Sequence, residues 1–368
     1  MQQKAATTVM SRTFRLVKPG EVEEMAIERT IRDGEVVIEP SIASICHADL
    51  RYYLGQRRAE ALEKKLPMAL LHEGIGKVIV SKANDLKVGQ RVVIVPNIPG
   101  SLIEKGVSED CSFIRGNDFR ENYSEKNEFL GSGYDGIAQN CLVLPAQCAI
   151  PIPDSIPDEI AVLCELCTVS YRAISRVKEQ LMASNTKVAV FGDGPVGYLT
   201  AALINRIYGL DSTRLKVFGA IPDKLAHFHF ADCSMVQDFD FCSAEKVDIV
   251  VECTGGKFSE SAVNQGIDLL KRGGSLILMG VTEDRVPINT RDVLEKGLSL
   301  YGSSRSSIPD FQAVVSAMQD REYQKLLRAI LPTEFTPIRT VNDFKEAMDS
   351  AGQHRGWKKV ILEFNWAQ

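Results

Sequence analysis

"KVAVFGDGPVGYLTAALI" (residues 187–204) decides the fold. An apolar run, Val188–Phe191, breaks at Gly192-x-Gly194-x-x-Gly197 and resumes as an apolar segment of helical period. A glycine triplet alone is weak evidence, because such triplets occur in ordinary turns. One set between a strand and a helix is a much narrower pattern. There Gly192 permits the tight turn, Gly194 lets the backbone approach a pyrophosphate, and Gly197 lets the helix pack on the strand. The free N–H groups at the helix start hold phosphates. Gly192, Gly194, Pro195, Val196 and Gly197 are therefore candidate dinucleotide-binding residues.

The flanking sequence has the context this site requires. Strand-like "LKVFG" and "VDIVVEC" and "SLILMG" alternate with helix-like "PDKLAHFHFA" and "SESAVNQGIDLLKR". Such alternation implies βαβ units and a parallel sheet covered on both faces. An NAD site usually ends its second strand with an acid that binds the ribose hydroxyls. Here that end is Phe218-Gly219-Ala220, with no acid, and Lys224 is close enough in sequence to meet a 2′-phosphate. Gly219 and Lys224 favour NADP(H), against the mild counterweight of Asp223.

Residues before about 150 have a different texture. "EVVIEPSIASIC", "GIGKVIV", "GQRVVIVP" and "NCLVLPAQCAIPIP" are short, rich in Val and Ile, and punctuated by Gly and Pro, as β-strands are. The last 60 or so residues are mixed, and no internal repeat is evident. At 368 residues, 45% hydrophobic and 25% charged, the chain suits two soluble domains. A net charge of -5 with mixed signs gives no nucleic-acid footprint. Without a run of about 18 apolar residues, no membrane span is expected, and the first residues lack the apolar core of a signal peptide. Nine irregularly spaced cysteines fit reduced thiols in a cytoplasmic protein better than a disulfide framework.

Four of the remaining polar residues form a candidate metal set. "SICHADL" carries Cys46 at a strand end, "LLHEGIG" carries His72 and Glu73, and "LCELCTVSYRA" carries Glu165 where the texture changes. A catalytic zinc takes about three ligands of Cys, His or carboxylate type and keeps one position open. Taken singly, Cys46 reads as a buried thiol and His72 as a structural histidine. Together, and followed by a dinucleotide fold, they read as ligands around a domain cleft.

The order of these parts resembles the medium-chain dehydrogenase/reductase superfamily, in its zinc-dependent polyol dehydrogenase branch. The resemblance covers essentially the whole chain, through "ICHAD", "HEGIGKV", "GYDGIAQNCLVLPAQ", "CELCTVSYRA", "GDGPVG", "VVECTGG" and "GGSLILMG". Within the branch, "ADLRYYLGQR", "LPMALLHEG" and "VLEKGLSLYGSSRS" are most similar to the ribulose-5-phosphate reductases, which make ribitol 5-phosphate for CDP-ribitol in teichoic acid and capsule synthesis. It implies an α/β fold: a GroES-like β-rich catalytic domain (1–167 and 306–368) and a Rossmann doubly wound domain (168–305) that binds NADP(H). It also implies a zinc-dependent, NADPH-linked reductase of D-ribulose 5-phosphate, functionally linked to a cytidylyltransferase.

By the resemblance, Cys46 and His72 match zinc-ligand positions, while Glu73 and Glu165 match two acids that approach the metal directly or through water. The sequence does not distinguish which of these two contacts the metal directly and which through water. His47 falls off the ligand positions and is expected to line the cofactor or substrate cleft; Cys164 and Cys167 are expected to pack. Two departures stand out. Residues 98–132 hold only Cys111 where relatives carry four clustered cysteines, so one zinc per chain is expected. Ala48 replaces the usual Ser or Thr proton relay, so the proton must travel through water.

A sugar phosphate requires cations at the far end of its pocket. Arg51, Lys65 and Arg305 are the candidates, whereas Arg57, Arg58 and Lys64 in "QRRAEALEKKLP" read as a solvated helix face. A homodimer is expected, with a tetramer as the alternative, paired through a sheet edge supplied by "GGSLILMGVTEDRVPIN". Another pentulose phosphate, an unphosphorylated polyol, or a non-catalytic NADP-binding role on the same fold are the alternatives.

Overall fold

A computed structural model describes residues 7–103, 121–282, 285–354 and 356–366. The chain divides into two compact units, Met1–Glu165 with Arg305–Gln319 and Leu331–Gln368, and Leu166–Ser304 with Asp320–Ile330. The sequence put the junctions two residues later at the first crossing and one later at the second, and kept 320–330 with the first unit. Asp320–Ile330 joins the second because helix Arg321–Leu327 packs on helix Pro195–Tyr208. Tyr198 donates to the Leu326 carbonyl at 3.0 Å, and Arg206 pairs with Asp320.

In the first unit, seven strands form the main sheet. Ala149–Pro151, Arg91–Ile94, Glu73–Ser81, Glu35–Ser44, Ile361–Phe364 and Thr336–Ile338 lie side by side, with Leu142–Pro145 also on Glu35–Ser44. Fully buried Val36, Val37, Ile38, Val78, Val92 and Leu362 hold it together. A second sheet pairs Thr7–Lys18 with Glu21–Ile31 and with Met68–Ala69. Glu21–Ile31 alternates exposed acids with half-buried residues, so its strand period is faint in the sequence.

Six parallel strands make up the second unit's sheet. Numbered by chain order, they run 3-2-1-4-5-6: Asp232–Met235, Leu215–Gly219, Val188–Phe191, Val247–Glu252, Leu270–Leu278, Ser299–Gly302. This is the doubly wound order, in which the reversal beside the first strand opens a ligand crevice at the strand ends.

Two expectations need correction. In "PDKLAHFHFA" only Pro222–Leu225 is helical; Phe228 and Phe230 turn back to pack against Tyr198, with ring centroids 5.1 and 5.6 Å away. The strand in "GGSLILMG" is interior, hydrogen-bonded on both sides, and the sheet edge is Ser299–Gly302. Residues 279–282 and 285–289 form no strand.

Candidate active site

Three strand ends create the site. Glu73 opens its strand, Ser44 closes the neighbouring one and Ile361 opens the next; Ser44 faces both across the antiparallel ladder. Cys46 therefore leaves the sheet beside His72 and Glu73, and Lys359 approaches from the third strand. Cys46 caps helix His47–Tyr53. Three residues on, the fully buried Asp49 carboxylate accepts hydrogen bonds from Cys46 N and Leu71 N, both at 3.0 Å. Its Oδ1 lies 3.4 Å from His72 Nδ1.

Leu71 has a left-handed backbone (φ 74°), which turns His72 inward. Its carbonyl accepts from Ile137 N at 2.9 Å. A Cβ on Gly136 would sit 2.2 Å from the same oxygen, so "GYDGI" cradles the His72 segment and needs glycine there. Asp135, paired with Arg15 and Arg29, accepts from Ala69 N at 2.8 Å and anchors the start of that segment.

Two overlapping ligand groups result. Cys46, Asp49 and His72 form one; His72, Glu73 and Glu165 form the other; within each, the ligand atoms lie within 4.8 Å of one another. Glu165 enters from the first turn of helix Cys164–Ser175. Ser44 donates to Glu73 Oε2, and Lys359 Nζ lies 2.9 Å from the same oxygen.

The electrostatics suit a cation. Asp49 and Glu73 are fully buried and Glu165 is 4% exposed. Burial pulls the His72 imidazole down, but Asp49 and Cys46 outweigh it and hold it well above its ordinary value. Burial also raises Glu73, yet Lys359, His72 and the Ser44 bond bring it below the usual carboxylate range. Burial pushes Glu165 up to about 7, with the Glu73 charge adding to the rise and His72 opposing it. Burial likewise raises the Cys46 thiol.

Three carboxylates and a thiol thus face one lysine and one imidazole in a buried pocket. Apart from the 3.4 Å approach of Asp49 to His72 Nδ1, His72 Nδ1 and Glu73 Oε1 are buried with no hydrogen-bond partner among the described residues. Buried charge of this kind is stable when it coordinates a metal. A thiol, an imidazole and carboxylates are the donor set zinc takes in catalytic sites. The residues fit the group.

Phe129 borders this pocket. It packs on His72, with ring centroids 5.4 Å apart, and the Arg305 guanidinium lies 5.4 Å from the Phe129 centroid. Arg305 also has a left-handed backbone (φ 61°). Lys65 donates to Tyr52 Oη at 3.0 Å and Ser132 Oγ at 2.9 Å. Arg51 is half-buried in the last turn of His47–Tyr53. Arg58 and Lys64 are exposed as expected, whereas Arg57 is half-buried over the Tyr52 ring at 4.7 Å and is no solvated face. His47 is exposed and belongs to neither ligand group. Cys164 and Cys167 are fully buried, and Cys111 lies outside the described residues.

In the second unit the glycine loop has the shape its sequence implies. Gly192 has φ 126°, and a Cβ on Gly197 would meet the Gly192 carbonyl at 1.9 Å. Gly194 has nothing within 4 Å of a would-be Cβ and caps helix Pro195–Tyr208, which has Pro195 in its first turn and Val196 after it. Asp193 reaches across to the next strand, where its Oδ2 accepts from Ala220 N at 2.7 Å and Ile221 N at 2.9 Å. A carboxylate therefore does stand beside Gly219, but it comes from the loop and is occupied by backbone N–H groups. Lys224 is half-buried on the short helix just beyond.

Comparison with known proteins bears on the whole chain. Residues 32–154 match the alcohol dehydrogenase GroES-like domain, and residues 232–320 match the zinc-binding dehydrogenase domain. A ribulose-5-phosphate reductase of Bacillus spizizenii is 36% identical over 357 residues, 97% of this chain and 99% of that one. Ribulose-5-phosphate reductase 1 of Staphylococcus aureus is 37% identical, with the same coverage. The chain belongs to the ribulose-5-phosphate reductase family of zinc-binding dehydrogenases. Among solved structures, the crystal structure of S. aureus TarJ in complex with NADPH matches with a TM-score of 0.80 at 33% identity, covering 97% of this chain and 100% of that one. The GroES-like and Rossmann architecture expected from the sequence is that of the family.

Several residues at this candidate site lack a strong sequence signal. Asp49 was legible as a helix cap, three residues after Cys46, but not as a neighbour of His72. Lys359 and Ser44 meet Glu73 only because three strands align. The destination of Asp193 depends on how the loop folds over its neighbouring strand.

Proposed function

We propose that this protein is a zinc-dependent, NADPH-linked reductase of D-ribulose 5-phosphate that forms D-ribitol 5-phosphate. The observation that carries the reading is the Cys46, His72, Glu73 and Glu165 constellation, in which His72 Nδ1 faces only the Asp49 carboxylate at 3.4 Å and Glu73 Oε1 is buried with no hydrogen-bond partner among the described residues. Family membership supports the substrate. A zinc ion held there supplies Lewis acidity toward a ketone oxygen, and NADPH supplies the hydride. Cys46 and His72 hold the metal, while Glu73 and Glu165 approach it. Ala48 has no hydroxyl, so the proton reaches the product through water ordered by Glu73 or Glu165. Gly192, Gly194, Pro195, Val196, Gly197 and Gly219 line the dinucleotide, with Lys224 at the 2′-phosphate. The substrate phosphate is met by Arg51, Lys65 and Arg305. Residues 1–167 and 306–368 act as the catalytic domain and 168–305 as the cofactor domain.

The same reading makes the protein a cytoplasmic homodimer whose product passes to a cytidylyltransferase. The pairing edge is the strand Ser299–Gly302, whose outer backbone groups have no strand partner among the described residues.

The test follows NADPH oxidation with ribulose 5-phosphate, xylulose 5-phosphate and ribulose as separate substrates, alongside zinc content. Ribulose 5-phosphate should be the best substrate by far. Free ribulose reduced equally well, or NADH preferred, would reject the proposal.

A further inference from the structure

Glu252 ends the strand Val247–Glu252, which is apolar apart from Asp248, and its side chain is 1% exposed. No lysine, arginine or histidine pairs with it among the described residues; backbone N–H groups satisfy it instead. Oε1 accepts from Thr254 N at 2.8 Å and Gly255 N at 3.1 Å, and Oε2 accepts from Gly280 N at 3.1 Å. Burying a carboxylate without a cation is costly unless such bonds replace its water.

The three donors belong to two different loops. Thr254 and Gly255 follow the strand that Glu252 ends, whereas Gly280 follows the neighbouring strand Leu270–Leu278. The loops also meet directly. Gly256 N donates to the Val281 carbonyl and Met279 N to the Glu252 carbonyl, both at 2.9 Å. A Cβ on Gly280 would lie 2.5 Å from both Glu252 carboxylate oxygens and from Gly255 N, so glycine is needed where the loops close on the acid.

This clamp stands beside the glycine loop. Phe191 lies opposite Glu252 in the parallel ladder, Cys253 N donates to the Phe191 carbonyl at 2.8 Å, and a Cβ on Gly192 would meet the Cys253 carbonyl at 3.1 Å. The two loops and the glycine turn therefore share the point where the strand order reverses. In a doubly wound sheet the halves of a dinucleotide lie to either side of that point. Gly219 and Lys224 stand on the adenosine side. The ends of Val247–Glu252 and Leu270–Leu278 stand on the other, which leaves them the nicotinamide half. Thr254, Gly256 and Val281 are exposed at the loop tips there.

We infer that Glu252 is a positioning residue for the nicotinamide half of the cofactor: its carboxylate clamps residues 253–256 to residues 279–281 and fixes the backbone on that side of the crevice. Glu252 acts through these loops. The assignment rests on the NADP(H) reading and adds to it a residue outside the glycine loop.

The experiment compares Glu252→Leu, Glu252→Gln and Gly280→Ala with wild type. NADPH binding is read by fluorescence titration, and binding of 2′,5′-ADP, which carries the adenosine half alone, by calorimetry. Glu252→Leu removes both acceptors and should weaken NADPH about ten- to a hundredfold while 2′,5′-ADP changes less than about twofold. Glu252→Gln keeps an acceptor for Thr254 N and Gly255 N, and Gly280 N retains the Glu252 carbonyl at 3.2 Å, so its loss should be intermediate. Gly280→Ala leaves the acid in place but forces the loops apart, and should also weaken NADPH and spare 2′,5′-ADP. Equal losses of both ligands would mean that Glu252 only supports the fold, and unchanged NADPH affinity would equally overturn the inference. Should Glu252→Leu fail to fold, the isosteric Glu252→Gln and Gly280→Ala decide by the same criterion. A wild type that binds NADH more tightly than NADPH would instead reject the NADPH reading, and NADH against AMP then tests the clamp in the same variants.

Discussion

Lys359 holds Glu73: its ammonium lies 2.9 Å from Oε2, inside a pocket where the carboxylate is fully buried. That contact and the Ser44 bond leave Oε1 turned to the ligand group. Lys359→Met should expose this dependence. Removing one partner of a buried pair costs about 3–5 kcal/mol, because the other charge is stranded. In metal-free protein, urea denaturation should show that loss, and adding Glu73→Gln should restore much of it. Additive losses in the double variant would mean that the two residues act independently.

Zinc content follows from the donor set. About one zinc per chain is expected, and Cys46→Ser or His72→Ala should abolish both zinc retention and turnover while NADPH titrations change little. Element analysis of the purified protein reads this directly, and two zincs per chain would contradict it.

Cofactor choice hinges on Asp193 and Gly219 together. A Cβ at Gly219 would lie 2.7 Å from Asp193 Cβ and 2.8 Å from Leu225 Cδ2. Gly219→Asp alone should therefore weaken both NADPH and NADH, rather than simply exchange them. Combined with Asp193→Gly it should move preference toward NADH, since the new acid then has room to meet ribose hydroxyls. Lys224→Ala should weaken NADPH alone. Fluorescence titrations with the two cofactors decide; a clean switch by Gly219→Asp by itself would refute the packing argument.

Acid stability should reflect Asp135. Burial raises its carboxyl, but bonds from Arg15, Arg29 and Ala69 outweigh burial and hold it below the usual range. A group with a depressed folded pKa stabilises above its unfolded pKa, about 3.9 for Asp, and loses that contribution as pH falls through the folded value. Asp135→Asn should be destabilised by about 3 kcal/mol at pH 7. The gap from wild type should narrow below about pH 4. Denaturation series at both pH values test this, and a gap independent of pH would count against it.

Sequence alone determined a good deal of this protein. The glycine loop, the alternation of strands and helices after it, and the residue types at Cys46, His72, Glu73 and Glu165 are local patterns, and local patterns survive in one dimension. Strand ends, turn glycines and the bias of ligand types toward them are written in neighbouring residues. One local pattern was overridden by a tertiary contact: the helix stops at Leu225, and Phe228 and Phe230 pack on Tyr198 of the preceding helix Pro195–Tyr208. Only the tertiary structure decided which groups share charge. Lys359 reaches Glu73 through the register of three strands, Asp49 meets His72 because Leu71 turns left-handed, and Arg57, in the loop before helix Ala59–Lys65, lies over the Tyr52 ring. Electrostatic partners are set by distance in space, and strand pairing joins residues that separation along the chain does not order. For the same reason the sheet edge passed from Leu270–Leu278 to Ser299–Gly302: whether a strand is an edge depends on what pairs beside it, and its own residues do not record that.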